Sequence, residues 1–421
     1  MALKALIITY YWPPAGGSGV QRWLYFVKYL RNNGIEPVVF TVENPKYPIT
    51  DKSLESQIPE GIEIVRQKIW EPGQMISKNK NAGSGFLPEK PSFIQKFKQY
   101  IRANYFIPDA RKFWIKPSSK KIIQYLQKNP VDWIITTGPP HSVHLIGKKV
   151  KEKTGVKWLA DFRDPWTEID YFHHLPLTQK SKARHLELET EVLQKADQVT
   201  VVSNTMKSQF EKINPNCTVI TNGFDDAHVS EAPEMDKPFT ITHIGMLNAD
   251  RNPILLWEVL AEMLEENEDF EASVQINLVG HIADEVRNSI RLYNLERFVN
   301  YTQYLPSHAV AAFQMKSQVL LLIINNVPSA KTIITGKVYE YLRAKRPILA
   351  IAPTDGDLAD IIDHTQSGIV VDFDDKEGLK QGLDLYFKHF MKNQLKIESK
   401  NVEQFHRKNL TLQLAELLKK A

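Results

Sequence analysis

The sequence predicts an α/β protein made of two doubly wound, Rossmann-like domains facing a central cleft. Short apolar runs of strand length alternate with amphipathic helical patterns along almost the whole chain, as in parallel sheets covered by helices. At 421 residues the chain exceeds what one ordinary core organises. The alternation breaks at the polar, acidic stretch from Asp225 to Lys237, which reads as a linker. The expected domains are residues 1–232, joined by the terminal helix 401–421, and residues 233–400.

The first strand is expected from Ala5 to Tyr10, followed by the glycine-rich loop Gly16-Gly17-Ser18-Gly19. A helix then carries Val20, Trp23, Leu24, Val27 and Leu30 on one face and stops at Gly34. Pro37 to Val42 closes a right-handed βαβ unit. Trp133 to Thr137, Lys157 to Asp161 and Gln198 to Ser203 supply further strands of this half. The second half restarts with Phe239 to Gly245, Val274 to Gly280, Phe298 to Thr302, Val319 to Ile324, Pro347 to Ala352 and Ile369 to Phe373. Asn401 to Lys420 is an amphipathic helix with no strand after it.

Composition excludes several classes. A content of 43% hydrophobic and 24% charged residues is that of a globular protein, and a net charge of +4 is too modest for a nucleic-acid binder. Cys217 is the sole cysteine, which rules out an intrachain disulfide and a cysteine-based zinc site. No apolar run reaches transmembrane length, and Leu3 to Tyr11 is too short for a signal peptide, so a cytoplasmic location is expected. Basic residues nevertheless gather between Pro88 and Asn129: Lys90, Lys96, Lys98, Arg102, Arg111, Lys112, Lys116, Lys120, Lys121 and Lys128 face only Glu89 and Asp109. Phe93, Ile94, Phe97, Tyr100, Ile101 and Tyr105 recur there at helical spacing. Two readings fit: a helix lying on an anionic membrane surface through 93–121, and a core-packed helix with solvated lysines.

The densest chemical signal is Thr335-Gly336-Lys337-Val338-Tyr339-Glu340. Gly336 opens a helix whose first N–H groups have no intrahelical partner and can hold an anion. Lys337 adds a positive charge at that pole, and Glu340, one turn on, can accept from two neighbouring hydroxyls, as on a ribose. These residues alone fit an ordinary strand–loop–helix unit equally well. Asp355-Gly356-Asp357 forms an Asp-x-Asp triplet, but turn chemistry after Pro353 explains it, and no metal is expected.

Taken in order, the motifs resemble the GT-B glycosyltransferases, specifically bacterial members of glycosyltransferase family 4, over nearly the whole length. The resemblance rests on the run from Tyr11 to Arg22, on Gly138-Pro139-Pro140-His141-Ser142, Asp161-Phe162-Arg163-Asp164-Pro165-Trp166 and Thr221-Asn222-Gly223-Phe224-Asp225, and then on Gly245, Arg251-Asn252-Pro253 and the Lys337/Glu340 segment. It implies transfer of a hexosyl group from a nucleotide sugar to a saccharide or lipid-linked acceptor, with retention of configuration, in surface polysaccharide assembly, without cofactor or metal.

By the same resemblance Glu340 is the second acid of a Glu-x7-Glu motif, whose first position is Thr332 here, and Lys337 matches members with lysine three residues before that acid. Arg251 falls where the family places a base on the donor diphosphate; Gly17, Ser18, Gly19, Gly245 and Gly336 would approach the donor by backbone. His141 would hydrogen-bond the transferred sugar, the alternative being a loop or N-cap histidine with no role, whereas His144 is expected in the core. For Asp161, Arg163 and Asp164 the choice lies between acceptor-hydroxyl binding, favoured for Asp164, and a structural ion-pair network, favoured for Arg163. The expected catalytic set is therefore Arg251, Lys337, Glu340, His141 and Asp164. A sugar-nucleotide epimerase and a non-catalytic saccharide-binding scaffold are the alternatives; a dinucleotide oxidoreductase using Glu43 is set aside because the glycines lack its spacing.

Overall fold

Apolar residues on both faces of most predicted strands require sheets covered on both sides, and the computed structural model contains two. It describes residues 2–43, 45, 47–71, 93–169, 172, 175–226, 233–303, 305 and 307–421. Lys90, Pro88 and Glu89 lie outside the described residues, as do 227–232 of the expected linker.

The first unit comprises residues 1–222 and 407–421. Its elements run β1 (Leu3–Ile8), α1 (Ser18–Leu30), β2 (Ile35–Glu43), β3 (Glu63–Lys68), α2 (Phe93–Tyr105), α3 (Lys112–Lys128), β4 (Trp133–Gly138), α4 (Ser142–Thr154), β5 (Lys157–Phe162), α5 (Gln179–Lys195), β6 (Gln198–Val201), α6 (Asn204–Phe210) and β7 (Cys217–Val219). All strands are parallel, in the order β3-β2-β1-β4-β5-β6-β7.

The second unit spans residues 223–406. It runs β8 (Phe239–Ile244), α7 (Ile254–Glu266), α8 (Glu268–Ser273), β9 (Val274–Val279), α9 (Asp284–Leu292), β10 (Val299–Thr302), α10 (Ser307–Lys316), β11 (Val319–Ile323), α11 (Lys337–Ala344), β12 (Ile348–Ile351), α12 (Asp357–Thr365), β13 (Gly368–Val371) and α13 (Lys376–Met391). Its parallel order is β10-β9-β8-β11-β12-β13. The closing helix α14 (Arg407–Lys420) packs Leu410, Leu414 and Leu418 against Trp23, Val27 and Leu30 of α1 in the first unit. The units therefore divide at 222/223 and 406/407, where the sequence suggested 232 and 400.

The strands β3 and β7 went unseen in the sequence, and both are edges of their sheet. β3 (Glu-Ile-Val-Arg-Gln-Lys) is half exposed, and β7 has three residues, so neither shows the buried apolar run of a central strand. The basic segment forms two helices and only one has the expected exposure. In α3, Trp114, Ile115 and Ile122 are buried against the first-unit sheet, so the core-packed reading holds there. In α2, Ile94, Phe97, Tyr100 and Tyr105 are exposed.

Asp161 at the end of β5 is the polar hub of the first unit. Its fully buried carboxylate accepts from Arg22 (2.8 and 3.2 Å), Trp23 Nε1 (2.7 Å), Thr137 Oγ1 (2.9 Å) and Thr200 Oγ1 (2.8 Å), tying β4, β5, β6 and α1 together. Burial raises its pKa, but Arg22 and these donors outweigh that and hold the carboxyl below its usual range. The expectation that Asp161 binds an acceptor hydroxyl is thereby corrected, because donors from within the fold occupy both oxygens. Asp161→Ala strands the Arg22 charge in the core. It is expected to lower unfolding stability by about 3–5 kcal/mol in urea denaturation, and a loss below about 1 kcal/mol would contradict the role of hub.

Candidate functional site

In the second unit the strand order reverses between β8 and β11, and chain leaving their carboxyl ends diverges to opposite faces. Three contacts bridge that gap. Tyr341 of α11 accepts from Ile244 N–H and donates to Leu321 O, each at 3.3 Å, pinning the helix across β8 and β11. His243 Nδ1 pairs with Leu321 O at 3.1 Å. Arg251, in a short turn after β8, donates from Nε to Asn325 Oδ1 at 2.6 Å, just past β11.

The N-terminus of α11 stands beside this bridge. Gly336 is exposed, and a Cβ built on it would meet nothing within 4 Å, so the helix pole opens onto free space. Lys337 reaches back to Gly245 at the end of β8, close enough that a Cβ on that glycine would lie 2.5 Å from Nζ. Burial, then repulsion from Arg251, pushes the Lys337 ammonium down to about 8, with Glu340 partly offsetting both. Glu340 accepts from Gln314 Nε2 at 2.9 Å, and Gln314 is itself held by Arg343 through Oε1 at 3.0 Å. The arrangement offers an anion an open helix pole and two cations, with an oriented carboxylate one turn away.

His243 is the residue the sequence reading missed. It is fully buried, and its Nε2 has no hydrogen-bond partner. Burial, then the Lys337 charge, holds it near 3, so it stays neutral beside the cations. A histidine inside a buried strand carries no sequence signal separating this from ordinary packing.

In the first unit the reversal falls between β1 and β4. Gly17, with φ 87°, precedes α1, while the Ser18 side chain lies outside the described residues. Arg163 fans out over three backbone carbonyls: Nη1 to Gly19 (2.7 Å), Nε to Gly138 (3.1 Å) and Nη2 to Pro139 (2.5 Å). It is thus a structural clamp on the loops after β1 and β4, made through backbone carbonyls where the sequence suggested an ion-pair network, and acceptor binding by Arg163 is corrected because backbone occupies the guanidinium. Gly19 yields to that clamp, since a Cβ there would sit 3.0 Å from Nη1. Asp164 is partly buried beside Arg163 and supports its charge.

His141 precedes α4 and stacks on Trp166, with centroids 4.6 Å apart and planes within 5°. Both of its ring nitrogens are buried without a hydrogen-bond partner. Burial above all drives its pKa well below the usual value, so it is a neutral group with hydrogen-bonding capacity unused. Asp109, not His141, caps α4 by accepting from Ser142 N–H and Oγ at 2.8 Å each. His144 lies in the core as expected, with Nδ1 on Thr136 at 2.9 Å.

Asp355 pairs with Lys331 at 2.5 Å, and Asp357 begins α12, so this triplet forms the start of a helix. Thr332 Oγ1 donates to Ser329 O at 2.9 Å. Among the described residues, Asp225, Asp226 and His406 also cluster, with His406 Nε2 3.3 Å from Asp226 and 3.7 Å from Asp225. With Phe224 N–H on Phe405 O at 3.1 Å, the cluster fastens chain entering the second unit to chain leaving it.

A family model for Glycosyltransferase Family 4 matches residues 17–228, about half of the chain. No curated protein matches in sequence. Among solved structures, sucrose-phosphate synthase from Thermosynechococcus elongatus is similar at 14% identity and TM-score 0.63, covering 99% of this chain and 98% of that one. The Candida albicans trehalose-6-phosphate phosphatase N-terminal domain aligns at 13% identity and TM-score 0.64, covering 100% and 97%. The lipopolysaccharide outer core galactosyltransferase WaaB, in apo form, aligns at 14% and 0.59, covering 99% of each chain.

The depressed Lys337 pKa sets a pH dependence. Free protein loses this charge as pH rises through about 8, and a diphosphate prefers the charged form. Nucleoside diphosphate affinity, measured by calorimetry, is expected to be highest below pH 8 and to fall above it, while Lys337→Arg flattens the profile. A flat wild-type profile from pH 7 to 9.5 would contradict this.

Proposed function

The chain belongs to glycosyltransferase family 4, and from that premise we propose that it moves a hexosyl group from a nucleotide sugar to a saccharide or lipid-linked acceptor in surface polysaccharide assembly. It is a glycosyltransferase of GT-B fold. The observation that carries the finer reading is the convergence of Arg251, Lys337 and the open pole of α11 on the Gly245 turn, with Glu340 one turn on.

A nucleoside diphosphate matches this set. Arg251, Lys337 and the α11 N–H groups would take the diphosphate, whose charge grows as the glycosidic bond breaks. Glu340, oriented by Gln314, would accept from the ribose hydroxyls. Two cations aimed at the leaving group support a metal-independent reaction. His141, neutral and unpaired, suits a sugar hydroxyl, and Asp164 suits an acceptor hydroxyl. Retention of configuration is part of the proposal on family membership. No step needs a base–nucleophile pair, and positioning with leaving-group stabilisation supplies the rate.

Glu340→Ala is expected to weaken nucleotide binding by about 1–3 kcal/mol through lost charge-assisted hydrogen bonds. Arg251→Ala and Lys337→Ala should depress turnover more than binding, since their charge partner develops in the transition state. Donor hydrolysis assayed across UDP-, GDP- and ADP-sugars in EDTA tests this. Unchanged kinetics in all three variants, or abolition by EDTA with rescue by manganese, would contradict the proposal.

A lipid-linked acceptor requires approach to a membrane, and no helix among the described residues is long and apolar enough to cross one. We propose that α2 makes a peripheral contact, with Ile94, Phe97, Tyr100 and Tyr105 exposed beside Lys96, Lys98 and Arg102. Each cation near an anionic surface contributes about 1 kcal/mol. Salt-sensitive binding to phosphatidylglycerol vesicles, reduced by Lys96→Gln, Lys98→Gln and Arg102→Gln together, is the expected result. Equal partition onto phosphatidylcholine, or none onto either, would remove the contact.

A further inference from the structure

The loops after β8 and β9 stay paired beyond the sheet. Gly245 N–H donates to Val279 O (2.7 Å), Leu247 N–H to His281 O (2.9 Å) and Ala283 N–H to Leu247 O (2.9 Å). Gly280 lies within this extension at φ 117°, with its N–H on Thr302 O at 2.9 Å. A Cβ on Gly280 would stand 2.6 Å from Gly245 O and 3.0 Å from its carbonyl carbon. A Cβ on Gly245, at φ 128°, would stand 2.5 Å from Lys337 Nζ and 2.6 Å from Cε. Gly280, the Gly245 peptide and the Lys337 ammonium are thus successive neighbours.

Other left-handed glycines differ. Gly34 and Gly61 have nothing nearer than 3.7 Å to an added Cβ, and Gly155 has nothing within 4 Å. Backbone conformation alone explains glycine at those turns. At Gly245 and Gly280 close approach adds a second reason: Gly280 abuts the Gly245 peptide, and Gly245 abuts Lys337.

We propose that Gly280 is a positioning residue for Lys337: by admitting the Gly245 carbonyl at contact distance it sets the turn against which the ammonium rests. Gly280 bonds no ligand itself and acts through Gly245. This rests on the reading of Lys337 as a diphosphate ligand. A methyl group at 280 displaces the Gly245 peptide and shifts the ammonium relative to the open pole of α11.

The test is a double-mutant cycle on nucleoside diphosphate affinity, by calorimetry with UDP, GDP and ADP. Gly280→Ala is expected to weaken binding roughly tenfold in the wild-type background and less than about twofold when Lys337 is already Met. Equal losses in both backgrounds would overturn the proposal, since a merely structural glycine acts regardless of Lys337. Gly245→Ala provides the same cycle one link nearer the lysine: its Cβ meets the movable end of Lys337 and not backbone, while φ 128° strains alanine there as φ 117° does at Gly280. Additive losses there would also overturn it. If Lys337→Met binds as tightly as wild type, or nothing binds at all, the diphosphate reading fails and this inference falls with it.

Discussion

A parallel doubly wound sheet leaves a gap where its strand order reverses, and in this chain the reversals fall at β1/β4 and β8/β11. In the second unit β8 and β11 send their chains to opposite faces, so backbone polar groups and side chains from both sides must close the space. Tyr341 and the Arg251–Asn325 pair close its floor, which fixes where α11 begins. Once α11 is pinned, its pole, Lys337 and Glu340 follow from helix geometry, because residues three apart share a face.

Burial then sorts the charges. His243 and His144 are held near 3, and His141 is driven well below its usual value, so these rings remain neutral. Lys337 is pushed only to about 8 and keeps most of its charge at neutral pH. Asp161 stays ionised because Arg22 is beside it. The second unit thus keeps positive charge beside the Gly245 turn. The first unit keeps a neutral imidazole stacked on Trp166.

Much of this was legible in the sequence. Central strands announce themselves by buried apolar runs, and Gly336-Lys337 marks the pole of α11. The edge strands β3 and β7 were invisible because an exposed strand needs no apolar run. Asp161 was misjudged for a different reason. An aspartate ending a buried strand looks the same whether it faces solvent or core, and its partner Arg22 lies 139 residues away. Aromatic spacing from Phe93 to Tyr105 marked one helix but not the break before α3: α3 turns Trp114 inward, and α2 keeps Ile94, Phe97, Tyr100 and Tyr105 exposed. Gly280 carried no signal, since its contact with Gly245 exists only once two strands are paired.

In the proposed reading the α11 pole, Lys337 and Arg251 hold the donor diphosphate. A crystal structure with a bound nucleoside diphosphate tests it most directly. Phosphate oxygens are expected within hydrogen-bond distance of the α11 N–H groups, Lys337 Nζ and Arg251, with the ribose hydroxyls on Glu340. A diphosphate seated elsewhere, with Lys337 still resting on Gly245 and untouched by ligand, would contradict it.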